Sequence, residues 1–216
     1  IIKMSTSMKR TILMITGLLV TVAVLFVNAT DASEAGFEVG DYASDFSLKN
    51  IDGKTVSLSS YSSAKGFIVV FTCNTCPYAK AYEQRVIELD KKYASQGFPV
   101  IAINPNDVSK QPDDSMEKMV ERANEKGYTF PYLRDDSQEV ATAYGATKTP
   151  HVYILNKEAS GKFKIEYIGA IDDSPREAAD ASEKYVEEAV DALLAGKKPA
   201  VTSKRAIGCT IKWKDA

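Results

Sequence analysis

Gly66-Phe-Ile-Val-Val-Phe-Thr-Cys-Asn-Thr-Cys-Pro77 is the stretch on which the reading of this chain turns. Its first six residues are continuously apolar and of strand length, which suits a strand at the centre of a sheet covered on both faces. After Pro77, side chains recur at the spacing of one helix face (Tyr78, Tyr82, Val86, Leu89 and Tyr93) and predict a helix of about 18 residues. Cys73 and Cys76 therefore fall where a buried strand hands over to a helix. The partial positive charge of a helix N-terminus stabilises a thiolate, and the thiolate is the nucleophile in disulfide exchange. Two intervening residues allow the small ring of a reversible disulfide. Pro77 suits a first helical turn, where a missing amide hydrogen is no loss. A structural bridge across so short a loop contributes little. Zinc wants four ligands, and Cys73, Cys76, Cys209 and His151 are the only soft candidates. The strand-to-helix placement favours reversible redox chemistry over both.

Working outward, the chain reads as alternating strands and helices. Phe46-Ser-Leu48 and Val56-Ser-Leu58 alternate in period two around Ile51-Asp52-Gly53, an N-terminal β-hairpin with an Asp-Gly turn. Phe98-Pro-Val-Ile-Ala-Ile103 is the strand after the first helix. Met116, Met119, Val120 and Ala123 mark a second helix, closed by Gly127, and a short one spans roughly 137–144. Two strands follow, His151-Val-Tyr-Ile-Leu155 and Phe163-Lys-Ile-Glu-Tyr167. Ser174-Pro175-Arg176-Glu177 then combines an N-cap, a first-turn proline and a capping-box glutamate, and predicts a last helix running from there to Gly196. The expected fold class is α/β, with a mixed central sheet flanked by helices.

Composition narrows the class further. With 44% hydrophobic and 26% charged residues, the chain carries enough apolar side chain for a sizeable core, which excludes wholesale disorder. Lys3, Lys9 and Arg10 are the only charges in 1–29; the remainder holds 24 basic and 29 acidic residues, so it lacks the basic footprint of nucleic-acid binding. Lys9-Arg10 precede 17 uncharged, mostly apolar residues (11–27), and Val27-Asn28-Ala29 offers a small-residue cleavage site. That order is a secretory signal peptide's. We expect residues 1–29 to be upstream sequence and signal peptide, with Met8 or Met4 as initiator. A single domain should occupy 30–216 and work in the periplasm or otherwise outside the cytoplasm, where disulfides persist. Membrane attachment is expected only if the leader stays uncleaved.

The cysteine stretch, with Thr149-Pro150 before a later strand, resembles the thioredoxin superfamily, and more narrowly its redoxin or peroxiredoxin-like members labelled AhpC/TSA. Further matches are Ile101-Ala-Ile-Asn-Pro-Asn-Asp107, Phe130-Pro-Tyr-Leu133, Asp136-Ser-Gln-Glu-Val-Ala-Thr-Ala-Tyr-Gly145, Ile171-Asp-Asp-Ser174 and Gly208-Cys-Thr-Ile-Lys-Trp213. The resemblance implies a thioredoxin-like fold with Cys73 as the solvent-facing attacking cysteine and Cys76 as the resolving one. It also implies that Thr149 and Pro150 form a cis-proline loop that binds an extended substrate strand. Peroxiredoxins resemble one another in a Pro-x-x-x-Thr-x-x-Cys stretch; aligned on Cys76, Val69 stands at the Pro and Cys73 at the Thr. That departure favours dithiol–disulfide exchange over peroxide chemistry.

Other residues are weaker candidates. His151 follows Pro150 and is weighed as a proton-transfer group or metal ligand against a packed histidine. Cys209 lies in a tail whose Trp213 is expected to dock, as a disulfide relay or, more simply, a quiet thiol. Lys80, one turn after Cys76, is weighed as a thiolate-favouring charge against a solvated lysine. Asp113-Asp114 and Asp172-Asp173 read most plainly as helix caps. Two further functions stay open: a thiol peroxidase with Cys76 peroxidatic, and a copper or zinc carrier using Cys73, Cys76 and His151. The leading reading calls for no cofactor. Its partners are a protein disulfide or dithiol and a redox protein that recycles the pair.

Overall fold

The computed structural model describes residues 36–215; the expected signal peptide and the start of the domain at 30–35 lie outside them. The strands are β1 (Leu48–Asn50), β2 (Thr55–Val56), β3 (Gly66–Phe71), β4 (Val100–Asn104) and β5 (Tyr132–Arg134), then β6 (Lys148–Thr149), β7 (His151–Lys157), β8 (Phe163–Gly169), β9 (Ser203–Lys204) and β10 (Cys209–Thr210). The helices are α1 (Pro77–Tyr93), α2 (Met116–Lys126), α3 (Glu139–Tyr144) and α4 (Tyr185–Leu194). One sheet runs in the order β2-β1-β5-β4-β3-β7-β8-β9, and a separate ribbon pairs β10 with β6. β3, β4 and β5 are parallel, whereas β7 joins β3 antiparallel, so the sheet is mixed.

The apolar run of β3 is buried at every position, because both faces of the sheet are covered. Ile68 and Val70 face a layer built from Tyr82, Val86 and Tyr93 of α1, Met119 of α2 and Val186 of α4. Phe67, Val69 and Phe71 point the other way, onto Phe46, Leu58, Tyr144 and Ile165. Full burial of an aliphatic or aromatic side chain stabilises the fold by about 1.5–3 kcal/mol, so this strand is its anchor. Gly66 opens β3 because a Cβ there would lie 2.1 Å from the Leu155 carbonyl oxygen and 2.2 Å from the Phe98 ring. The β1–β2 hairpin forms around Gly53, whose φ of +82° suits glycine.

The last helix departs from the sequence-based expectation. It begins at Tyr185, and 174–184 hold only a 3-10 turn over Ala178–Asp180. Asp173 is the physical reason. Its carboxylate accepts the backbone N–H groups of Ser182 and Glu183 and the Ser182 hydroxyl, so those donors are satisfied in a loop instead of a helix. Asp172 is no cap either: it is buried, paired with Arg85 at 2.6 Å, and accepts the Tyr82 hydroxyl. Together these bonds tie α1 to the segment leaving β8.

Candidate active site

Cys76 is the N-cap of α1 and Pro77 its first residue, so the strand-to-helix handover of the cysteines is as expected. The loop between them is held from below by Asp114, fully buried 38 positions after Cys76. Its Oδ1 accepts the Asn74 N–H at 2.7 Å and the Asn104 amide at 3.2 Å; its Oδ2 accepts the Thr75 hydroxyl at 3.1 Å and the Asn106 amide at 2.7 Å. The Asn74 side chain is fixed as well, donating to the Asp113 carbonyl and accepting from the Tyr132 hydroxyl. Capping was the sequence-based reading of Asp114, but the cap of α2 is Ser115. Asp114 immediately precedes it, as the last residue of a 3-10 turn (Pro112–Asp114), and serves the cysteine loop.

The Thr149–Pro150 peptide is cis, and Thr149 is fully buried against the cysteine pair. Its hydroxyl lies 3.2 Å from Cys73 Sγ, and its carbonyl accepts the Cys76 thiol at 3.1 Å. The edge beside Thr149 is already filled. β10 pairs with β6 antiparallel, setting Cys209 opposite Thr149 and Thr210 opposite Lys148. An incoming strand that uses this edge has to displace β10. Gly208 permits the close approach, since a Cβ there would lie 2.2 Å from the Thr149 carbonyl oxygen. Downstream, Ile211 is buried and Trp213 packs on the core, as expected of the tail. Asn106 and Gln138 accept the N–H groups of Lys212 and Lys214, and Gln138 also donates to the Lys212 carbonyl.

Neither paired sulfur is open to solvent. Cys73 and Cys76 are each 3% exposed, which corrects the reading of Cys73 as solvent-facing. Three cysteines meet here: Cys73 and Cys76 form one buried cluster with Ala79, and Cys209 packs on it. The Cys209 N–H donates to Cys76 Sγ at 3.3 Å. All three are free thiols.

The environments of the pair diverge. The Cys73 thiol, donating to Cys76, holds Cys76 well below the ordinary thiol range; Cys209 and the Ala79 N–H help, against the opposing effect of burial. The helix N-terminus acts in the same direction. Cys73 is pushed far up, first by sharing its proton with the Cys76 sulfur, then by burial and by the negative Asp114. In the reduced pair, loss of a proton is thus favoured at Cys76 and opposed at Cys73.

His151 takes no part in this. It lies opposite Phe71 in the β3–β7 register, its Nδ1 accepts the Thr147 N–H, and its ring rests 4.9 Å from that of Tyr153. Burial lowers its pKa to about 4, so it is a neutral packed residue near pH 7. Among the described residues no three His, Cys, Asp or Glu side chains are placed to hold a metal ion. The described residues thus do not bring Cys73, Cys76 and His151 together as the ligand set that the carrier reading needs. Lys80 is exposed on α1, one turn from Cys76.

The mixed sheet flanked by helices is that of thioredoxin-like proteins, and the class that the family and the named relatives define is that of thiol-redox proteins. The chain belongs to the AhpC/TSA family, whose model it matches over residues 39–185. A crystal structure of an uncharacterized conserved protein from Geobacillus kaustophilus superposes with a TM-score of 0.77 at 39% identity, covering 83% of this chain and 94% of that one. Thiol-disulfide oxidoreductase ResA of Geobacillus thermodenitrificans is 31% identical over 126 residues, 58% of this chain and 67% of its own length. A Mycobacterium tuberculosis protein provisionally named a peroxiredoxin is 28% identical over 129 residues, 60% of this chain and 76% of its own. Redox activity of cysteine thiols is the common ground of the named relatives.

Proposed function

We propose that the protein is an extracytoplasmic thiol–disulfide oxidoreductase that exchanges disulfides through Cys73 and Cys76. The observation that carries this reading is the packing of the two sulfurs in one cluster at the N-terminus of α1, against Thr149 of the cis Thr149–Pro150 peptide. A dithiol so arranged holds its nucleophile and its second thiol in contact. The Cys76 thiolate attacks one sulfur of a partner disulfide, and the other partner sulfur leaves as a thiolate and takes up a proton. Cys73 then loses its proton and attacks Cys76 Sγ. The partner departs reduced, and the Cys73–Cys76 disulfide remains for a recycling dithiol protein to reduce. This order reverses the roles implied by the family resemblance, because Cys76 is the N-cap of α1 and accepts the Cys209 N–H, and both favour a thiolate at that sulfur. Thr149 and Pro150 border the sulfurs and are the groups a partner meets once β10 gives way. The extracytoplasmic setting rests on the leader pattern of residues 1–29.

A second reading, a thiol peroxidase with Cys76 peroxidatic, is supported by the AhpC/TSA family and by the similarity to the Mycobacterium tuberculosis protein, with Cys76 at the N-terminus of α1. The test is a comparison of rates for the reduced protein beginning at Thr30, with hydrogen peroxide on one side and a model protein disulfide on the other. Fast reaction with the disulfide, and peroxide consumption no faster than an ordinary thiolate's, is the expected result. A strong preference for peroxide that vanishes in Cys76→Ser would establish the peroxidase instead.

A further inference from the structure

Three features of the C-terminal tail converge on one sulfur. β10 sets Cys209 opposite Thr149, the residue whose carbonyl and hydroxyl touch the cysteine pair. The Cys209 backbone donates to Cys76 Sγ, and its side chain packs on the Cys73–Cys76 cluster. The tail is also docked beyond the ribbon, by the buried Ile211 and by hydrogen bonds that the Lys212 and Lys214 N–H groups donate to Asn106 and Gln138. The strand that carries Cys209 is thus held over the pair both by its ribbon with β6 and by the anchors that follow it.

We infer that Cys209 is a third redox cysteine, which takes over Cys76 from Cys73 in an internal disulfide exchange. The inference rests on the reading of Cys73 and Cys76 as the exchanging pair. In the oxidised protein, the Cys209 sulfur attacks Cys76 Sγ of the Cys73–Cys76 disulfide. A Cys76–Cys209 bond forms, the Cys73–Cys76 bond breaks, and Cys73 leaves as a thiolate that takes the proton Cys209 gives up. No electrons enter or leave. Disulfide exchange runs through attack on a bonded sulfur, so the attacking thiol has to lie beside it, and Cys209 lies beside Cys76. Burial and the neighbouring Cys76 sulfur push the Cys209 thiol up to about 11, and this keeps it protonated until such an exchange calls on it. The consequence is a division of labour. Cys76 takes part in every bond, Cys73 displaces the partner from it, and Cys209 stores the oxidised state while Cys73 stands free again. Because β10 carries Cys209, storage also fastens the strand over the site by a covalent bond.

The experiment is a disulfide map of the full chain. Reduced protein is treated with one equivalent of diamide, a two-electron thiol oxidant, then quenched in acid, alkylated and cut with trypsin. Cleavage leaves Cys73 and Cys76 on one peptide (66–80) and Cys209 on another (206–212). The expected result is a cross-linked pair of these peptides bonded through Cys76 and Cys209, with the alkyl label retained on Cys73. Cys73→Ser, which leaves no competitor, should convert wholly to the Cys76–Cys209 bond within one monomer. If only the Cys73–Cys76 disulfide forms, with Cys209 labelled in full in wild type, the inference is overturned while the exchanging pair stands. If no disulfide forms within the chain, both the inference and the oxidoreductase reading are lost. Should Cys73→Ser fail to fold, the wild-type map alone decides.

Discussion

Replacing Asp114 by asparagine strikes the group on which the cysteine loop depends most. The carboxylate is fully buried and takes four hydrogen bonds, two on each oxygen. Asparagine has the same shape but one acceptor oxygen, so whichever way the amide turns, its NH2 faces two donors. Two hydrogen bonds to a charged acceptor are lost at about 1.5–3 kcal/mol each, a destabilisation of about 3–6 kcal/mol. Total stability for a domain is roughly 5–15 kcal/mol, so the variant folds only marginally if it starts at the low end. For a chain of this length each kcal/mol moves Tm by about 2–4 °C, which puts the expected fall at about 6–24 °C by circular dichroism. A second readout goes the opposite way. The Asp114 charge opposes ionisation of Cys73, so its removal should bring Cys73 labelling by iodoacetamide to lower pH, read site by site by mass spectrometry. Lower stability with an easier Cys73 is the joint signature. A variant within about 1 kcal/mol of wild type, or one whose Cys73 profile stays put or moves up, refutes the assigned role of Asp114.

Three other outcomes follow from the same geometry. Labelling of Cys76 in the reduced protein should remain fast at pH 6; Cys73→Ala should move that profile upward, while Cys73→Ser, which keeps a donor, should move it less. An equal response of the two variants would show that the donated proton is not the cause. Half-buried His151 should make the fold weaken in acid. Above its unfolded pKa, near 6.5, both states are neutral; as pH falls toward about 4 only the unfolded chain gains the proton, at a cost of about 3 kcal/mol. Urea midpoints between pH 7 and 4.5 should therefore fall less in His151→Gln than in wild type, and parallel slopes would count against the shift. Gly208→Ala drives a methyl group into the Thr149 carbonyl and should cost about 1–3 kcal/mol while raising the labelling rate of the native cysteines by lifting β10. Unchanged labelling would mean that β10 does not guard them.

What was legible in the sequence had a local cause. The apolar run of β3, the helical spacing from Tyr78 to Tyr93, and Gly127 closing α2 in a left-handed turn each place an element by its own residues. The candidate site was half legible for the same reason. Two cysteines at a strand-to-helix junction announce themselves, whereas the partners that tune them are distant in sequence. Asp114 reaches Asn74 across 40 positions, and Asp113-Asp114 before a serine looks like any helix start. The β6–β10 ribbon is two residues on each side, too short for periodicity to register. Residues 174–184 misled because their capping pattern is real, but Asp173 captures the donors a helix would need.

The placement of β10 also orders the events of folding. Cys209 lies 133 positions after Cys76, and every strand of the large sheet precedes it in the chain. Pairing Cys209 with Thr149 closes a loop of 60 positions for two residues of ribbon, so this non-local contact forms late, after the cysteine corner it covers. During that interval Cys73 and Cys76 stand without the strand that later shields Thr149 and donates to Cys76. Seating the tail is thus a finishing step, and a folding chain passes through a stage in which its most reactive sulfurs are also its least protected.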